Sequence, residues 1–250
     1  MTKKIHYLTH FYENNDYTNH IEIGIDEVGR GPMFGRVYTA SVILPKNDIF
    51  KYEILKDSKK FTSKKKLQET ANYIKENALY WSIDYKDEKT IDKINIRNAT
   101  LTCMQDSIKN IIEKYNNSKN NLNNKIYDLK NNFYILVDGN DFKPFTYYYN
   151  NNIEQLTHFS VEGGDNKYCS IAAASILAKV ERDKYIYEIC EKYPLLNTYY
   201  DLNNNKGYGT AKHMEGIKKY GISPWHRTTY GICKISNLLS YDLFNQSLHE

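Results

Sequence analysis

Cysteine is sparse and scattered. Cys103, Cys169, Cys190 and Cys233 are the only four in 250 residues and no two form a C-x-x-C pair, so neither a zinc knuckle nor a disulfide framework is expected. No apolar run approaches the length that crosses a bilayer. The opening MTKKIHYLTHFYENNDYTNH has neither the apolar core nor the small-residue cleavage site of a secretory signal. These absences predict a reduced, intracellular, cytoplasmic protein with no membrane attachment. A large excess of one charge is also missing: the net charge is +4, too small to name a partner by itself. No internal repeat and no linker long enough to separate two domains is visible.

What is present suits a globular chain long enough to bury a core, with 41% hydrophobic residues. Its organising stretch is Ile21 to Pro45, IEIGIDEVGRGPMFGRVYTASVILP. An apolar strand (Ile21, Ile23, Ile25) delivers adjacent acids, Asp26 and Glu27, where it runs out. Gly29-Arg30-Gly31-Pro32 follows, then Gly35, then a second apolar run ending at Pro45. Side chains alternate across a strand, so Asp26 and Glu27 converge only if the backbone bends there, which nearby glycine permits. The alternative is a plain hairpin with solvated acids at its mouth.

Two further acids stand beside glycine. Asp138 ends the apolar run FYILVDGN, and Asp165 closes VEGGD ahead of the small, apolar SIAAASILAK. Either could be structural, Asp138 making a turn and Asp165 capping the helix that follows. Together with Asp26 and Glu27 they supply enough carboxylates for two divalent ions on a phosphodiester. Basic residues concentrate in KDSKKFTSKKK, Lys56 to Lys66, where the alternative for any one lysine is a solvated helix start.

GIDEVGRGPMFGRVYTASVILP, VDGN, GGD before SIAAASILAKVERD, and KGYGTAKH together resemble the type 2 ribonucleases H, over about Ile21 to Ile232. The resemblance implies catalytic and metal-binding roles for Asp26, Glu27, Asp138 and Asp165. It implies Mg²⁺ or Mn²⁺, since hard divalent ions suit an oxygen shell. It further implies two-metal cleavage on the 5′ side of RNA, leaving a 3′-hydroxyl and a 5′-phosphate. Substrates would be RNA/DNA hybrids and DNA duplexes containing ribonucleotides, and the enzyme a monomer. Gly29, Arg30 and Gly31 would read the ribose 2′-hydroxyl, and Tyr208 would stack on the sugar beyond the cut. Lys59 and Lys60 would contact substrate phosphates, with Lys179, Arg182, Lys212, His213, His226 and Arg227 as further candidates, and Lys206 of KGYGTAKH would be substrate-binding. Such contacts position a duplex without reading sequence. Two departures stand out: Arg36 where the family usually has proline, and Phe34 where it usually has a small residue, so the edge of the hairpin is expected to differ. The Gly-Arg-Gly loop favours type 2 over type 3, and the tail shows no clamp-binding peptide.

The expected fold is α/β, a ribonuclease H-like mixed central sheet flanked by helices with a helical C-terminal region. Residues 1–20 read as an extension, 21–235 as the catalytic domain with an Asn-rich surface insertion near 116–132, and 236–250 as a tail. Strands are expected at 21–27, 36–44, 79–85 and 133–137. Helices are expected at 64–77 with Ser63 as N-cap, 97–114, 170–190 and within 206–232, with Thr90 capping a short turn and 141–160 irregular. Two other functions compete: a broader nuclease of the same fold with little junction preference, and a nucleic-acid-binding or accessory subunit that has lost catalysis.

Overall fold

The apolar spacing Leu67, Ala71, Ile74 behind Ser63 yields a helix where expected. In the computed structural model, which describes residues 8–12, 19–119, 129 and 132–245, α1 spans Lys64–Asn77 and the Ser63 hydroxyl accepts the Lys66 N–H at 3.3 Å. Among the described residues a five-stranded mixed sheet carries the fold. Its strands are β1 (Ile21–Val28), β2 (Val37–Ile43), β3 (Tyr80–Lys86), β4 (Phe133–Asp138) and β7 (His158–Val161), in the order β3-β2-β1-β4-β7. β4 lies parallel to both β1 and β7.

The two faces of β1 are chemically different, and each selects its own helix. Ile23 and Ile25 are fully buried with Met104, Ile108 and Ile111 of α3 (Ile96–Lys119). The opposite face carries Glu22, Gly24 and Asp26 and meets α4 (Cys169–Lys192). A Cβ on Gly24 would fall 2.3 Å from the Ser170 carbonyl carbon, so glycine is what lets the helix rest on the strand. The run Ile171 to Leu177 of α4 is buried, as its small residues predicted. Glu22 is buried and accepts from the hydroxyls of Ser170 and Tyr134 and from the Tyr12 N–H.

Several expectations need correction. Asp87, not Thr90, caps α2 (Glu88–Ile94): its Oδ1 accepts the Thr90 N–H at 2.8 Å. Burial alone would raise the Asp87 carboxyl, but its bonds from Thr90 outweigh that and hold it below its ordinary value. The cap therefore stabilises above the unfolded-state pKa, and its contribution fades as pH falls through the folded one. Asp87→Ala is expected to cost about 1 kcal/mol at neutral pH and less in acid. Urea unfolding at two pH values checks this, and an equal loss at both would count against it.

The segment 141–160 is not irregular. It holds β5 (Thr146–Tyr149) and β6 (Asn152–Gln155), antiparallel, and then β7. Asn150 and Asn151 take positive φ of 46° and 63°, as a tight two-residue hairpin turn requires. Asn116 to Lys119 belong to α3, while most of the remaining Asn-rich insertion lies outside the described residues. The tail carries α8 (Tyr241–Asn245), whose Phe244 is buried beside Trp225. Residues 8–12 of the N-terminal stretch pack on the fold, with Thr9 bridging Tyr168.

The chain separates into two compact units. One comprises the described residues of Met1–Val28, Thr39–Asp84 and Leu101–Val180. The other comprises those of Gly29–Tyr38, Tyr85–Thr100 and Glu181–Glu250, including α5 (Pro194–Tyr200), α6 (Leu202–Asn205) and α7 (Ala211–Tyr220).

Candidate active site

The acids gather in the first unit through strand register. Ile25 of β1 lies opposite Val137 of β4, and the next residue on each strand is Asp26 or Asp138. Partners on adjacent parallel strands share a face, so these two carboxylates emerge together. β1 runs on through Asp26 and Glu27 to Val28, so alternation puts these two side chains on opposite faces. The approach to Asp26 comes from the neighbouring strand instead. Asp26 is buried and its Oδ1 accepts the Glu27 N–H at 2.7 Å; Glu27 is half-buried.

Asp165 arrives by a turn. After β7, Gly163 adopts φ 62° and leads into a short 3-10 turn, Gly164–Asn166. The Gly164 N–H donates to Asp138 Oδ1 at 2.6 Å, locking this turn to the end of β4. A second 3-10 turn, Ser58–Lys60, is capped by Asp57, whose Oδ1 accepts the Lys59 N–H at 2.9 Å. Asn166 donates from its amide to Asp57 at 3.1 Å, and Ser58 and Ser175 share a hydroxyl–hydroxyl bond of 3.0 Å.

The electrostatics follow from this crowding. Burial first, then Glu27 and Asp138, hold the Asp26 carboxyl well above its ordinary range. Burial, then Asp138 and Asp57, raise Asp165, with Lys59 opposing. Lys59 Nζ lies 3.8 Å from Asp165 Oδ2. Burial would lower its ammonium, but Asp165, Asp57, Asp26 and Asp138 together hold it above its usual value. Lys59 was expected at a substrate phosphate; here it answers the acids. Lys60 bonds the side chain of Asn166, and Lys179 is half-buried on α4. Sequence reasoning missed Asp57, Asn166 and Ser175. Asp57 stood in the basic string read for its lysines, and the other two carried no local signal.

Among the described residues, no three of His, Cys, Asp and Glu meet as a closed ligand set. Asp26 and Asp165 are each pushed up by burial and by neighbouring acids, and the whole group offers oxygen donors. That donor chemistry fits a hard divalent cation, which relieves the same repulsion that a proton would.

The second unit holds the glycine loop. Arg30 and Gly31 are exposed, and a Cβ on Gly31 would lie 3.4 Å from the Tyr208 ring. Tyr208 is 47% exposed, which suits a stacking surface. Arg182, expected at a phosphate, is instead 1% exposed. Its guanidinium donates to the carbonyls of Phe34 (3.3 Å), Arg36 (3.2 Å) and Lys206 (3.0 Å). A buried fork of fixed donors holds a loop; it does not reach out to a duplex. Lys206 is buried too, its Nζ bonded to the Asn203 carbonyl and 3.7 Å from the centre of the Tyr187 ring.

Both departures are absorbed locally. The Arg36 guanidinium lies 3.9 Å and 4.4 Å from the ring centres of Tyr85 and Tyr185, a cation–π arrangement. Phe34 is fully buried, edge-on to His226.

A family model described as ribonuclease HII matches residues 23–233. The chain is 38% identical over 221 residues to a ribonuclease HII of Phocaeicola vulgatus, covering 88% of this chain and 92% of that one. It is 41% identical over 222 residues to a ribonuclease HII of Caldanaerobacter subterraneus, covering 88% and 78%. The fold is similar to the crystal structure of ribonuclease H2 from Pyrococcus horikoshii, with a TM-score of 0.62 at 21% identity over 86% of this chain and 96% of that one.

Proposed function

Because this chain belongs to the ribonuclease HII family, we propose that it hydrolyses RNA in RNA/DNA hybrids and incises 5′ of single ribonucleotides in duplex DNA, leaving 3′-hydroxyl and 5′-phosphate ends. The observation that carries the catalytic half is the placement of Asp26 and Asp138 at adjacent positions of parallel strands, with Asp165 tied in through Gly164. Asp26, Glu27, Asp138 and Asp165 would hold Mg²⁺ or Mn²⁺. Bound there in pairs, such ions supply an activated water and neutralise the departing oxygen of the phosphodiester.

The protein's own groups prepare that chemistry. The buried setting of Asp26 concentrates negative potential where a cation is wanted. Lys59, 81% exposed at its side chain, balances the cluster from its edge. Gly29, Arg30 and Gly31 offer backbone to a ribose 2′-hydroxyl, and Tyr208 offers a ring face to the neighbouring sugar. Intact acids at all four positions favour an enzyme over a binding subunit.

The test is a labelled DNA duplex with one ribonucleotide beside an all-RNA/DNA hybrid, each incubated with Mg²⁺ or Mn²⁺. Cutting of both, with the lone ribonucleotide incised on its 5′ side, is expected. Cutting of the hybrid alone would sink the junction role of Gly29–Gly31 and Tyr208. Duplex binding without cleavage would make this a binding protein.

A further inference from the structure

In Ser223 to Arg227, SPWHR, the candidates for phosphate contact His226 and Arg227 are buried, and their bonds lead to the glycine loop and to Tyr208 instead. The Arg227 guanidinium donates to the carbonyls of Gly29 (2.6 Å), Arg30 (2.9 Å) and Gly35 (2.8 Å). A planar fork with fixed donor directions sets the relative positions of all three oxygens, whereas the three donors of an ammonium rotate about its stem. The following residues are anchored independently: the N–H and hydroxyl groups of Thr228 and Thr229 all donate to the Asp92 carboxylate.

His226 acts in the other direction. The Ser223 N–H donates to His226 Nδ1 at 3.0 Å, so that nitrogen is an acceptor and the proton of the neutral ring lies on Nε2. His226 Nε2 is 2.9 Å from His213 Nε2, which must then accept. The His213 proton is left on Nδ1, 2.9 Å from the Tyr208 carbonyl that receives it. One backbone N–H therefore dictates both tautomers and ends on Tyr208. Burial lowers both imidazoles, His213 adding to the effect on His226, in keeping with a neutral pair.

We infer that Ser223–Arg227 is a positioning device for substrate recognition, with Arg227 fixing the Gly29–Gly35 loop while His226, through His213, fixes Tyr208. This rests on the reading of that loop and Tyr208 as the elements that meet the ribonucleotide. Neither histidine nor Arg227 touches substrate in this account; Arg227 acts through the backbone of the glycine loop and the histidines through Tyr208, whose ring meets the sugar. Arg227 and His213, candidates for phosphate contact by sequence, are reassigned accordingly.

The test uses the full chain as wild type, Tyr208→Ala, His213→Phe and the double variant, on the single-ribonucleotide duplex and on the hybrid. His213→Phe is expected to lower kcat/KM on the single-ribonucleotide duplex by roughly tenfold to a hundredfold, the scale of a small misplacement, and to lower it less on the hybrid. Added to Tyr208→Ala it should cost nothing further, and His213→Gln, which can both accept and donate, should recover most of the loss. Equal losses in both backgrounds would mean a general structural role and overturn the inference. An unaffected Tyr208→Ala would instead overturn the recognition reading beneath it. Nitrogen NMR of the wild type needs no variant. Neutral rings with the proton on Nδ1 of His213 and on Nε2 of His226 are expected, and the reverse tautomers would sink the relay.

Discussion

Asp26→Asn is expected to lose cleavage of both substrates while gaining stability. If Asp26 holds a metal as proposed, loss of its carboxylate removes several kcal/mol of charge stabilisation. At about 1.4 kcal/mol per decade, the fall in kcat is on the order of 10³-fold or more. The gain in stability has a separate origin. Asp26 is buried, and burial followed by Glu27 and Asp138 raises its pKa in the fold. An acid whose folded pKa is raised costs stability when ionised: the cost is full above the folded value and disappears below the unfolded one. Asparagine keeps an oxygen for the Glu27 N–H and removes the charge. Its melting temperature in chelator should therefore exceed that of the wild type by several degrees at neutral pH, at roughly 2–4 °C per kcal/mol for a chain of this size. The difference should close in acid. Mg²⁺ should then raise the melting point of the wild type and not of the variant. A variant that is both inactive and less stable would show that Asp26 supports the fold and would remove the argument for a strained anionic centre.

Gly24→Ala is expected to have the largest effect on folding. The added carbon would lie 2.3 Å from the Ser170 carbonyl carbon, 2.5 Å from its Cβ and 2.6 Å from its oxygen. Two of these three are backbone atoms of α4, so no side-chain rotation relieves the contact. Overpacking of a close-packed interior costs about 1–3 kcal/mol and occasionally more, and the rigid backbone places this site at the upper end. At least about 3 kcal/mol, or roughly 6–12 °C, should be lost in thermal unfolding. Ser170 also donates to Glu22 on the same strand face, so a displaced helix disturbs a buried carboxylate as well. A wild-type melting point would show that α4 does not rest on β1 as described.

Much of the first unit could be read in the sequence because its determinants are local. Ser63 and the Leu67–Ala71–Ile74 spacing lie within one helix, and α1 appears where they place it. The acids could be read as residue types beside glycine, whereas their grouping depends on the pairing of Ile25 with Val137, residues far apart in the chain. β7 was missed because HFSV is short and largely half-exposed, and becomes a strand only by pairing with β4. Arg182 and Arg227 were misread for the same reason. An arginine in a basic or aromatic string resembles a phosphate ligand until its carbonyl partners, 146 and 192 residues away, are known. Lys59 shows what a string hides in another way: a surface lysine whose neighbours are acids brought in from β1, β4 and a distant turn.

The two buried guanidinium groups have an effect beyond holding backbone. Burial pulls Arg227 down to about 10 and lowers Arg182, yet a group at about 10 stays protonated at neutral pH. Counterions gather around exposed lysines and blunt their attraction as ionic strength rises, but they have no access to charges enclosed by protein. The loop unit thus keeps two positive charges that no ion can pair with directly, whatever the salt. Only exposed cations such as Arg30 and the surface lysines release ions when a polyanion arrives, so the slope of affinity against salt counts those and is blind to the two buried arginines.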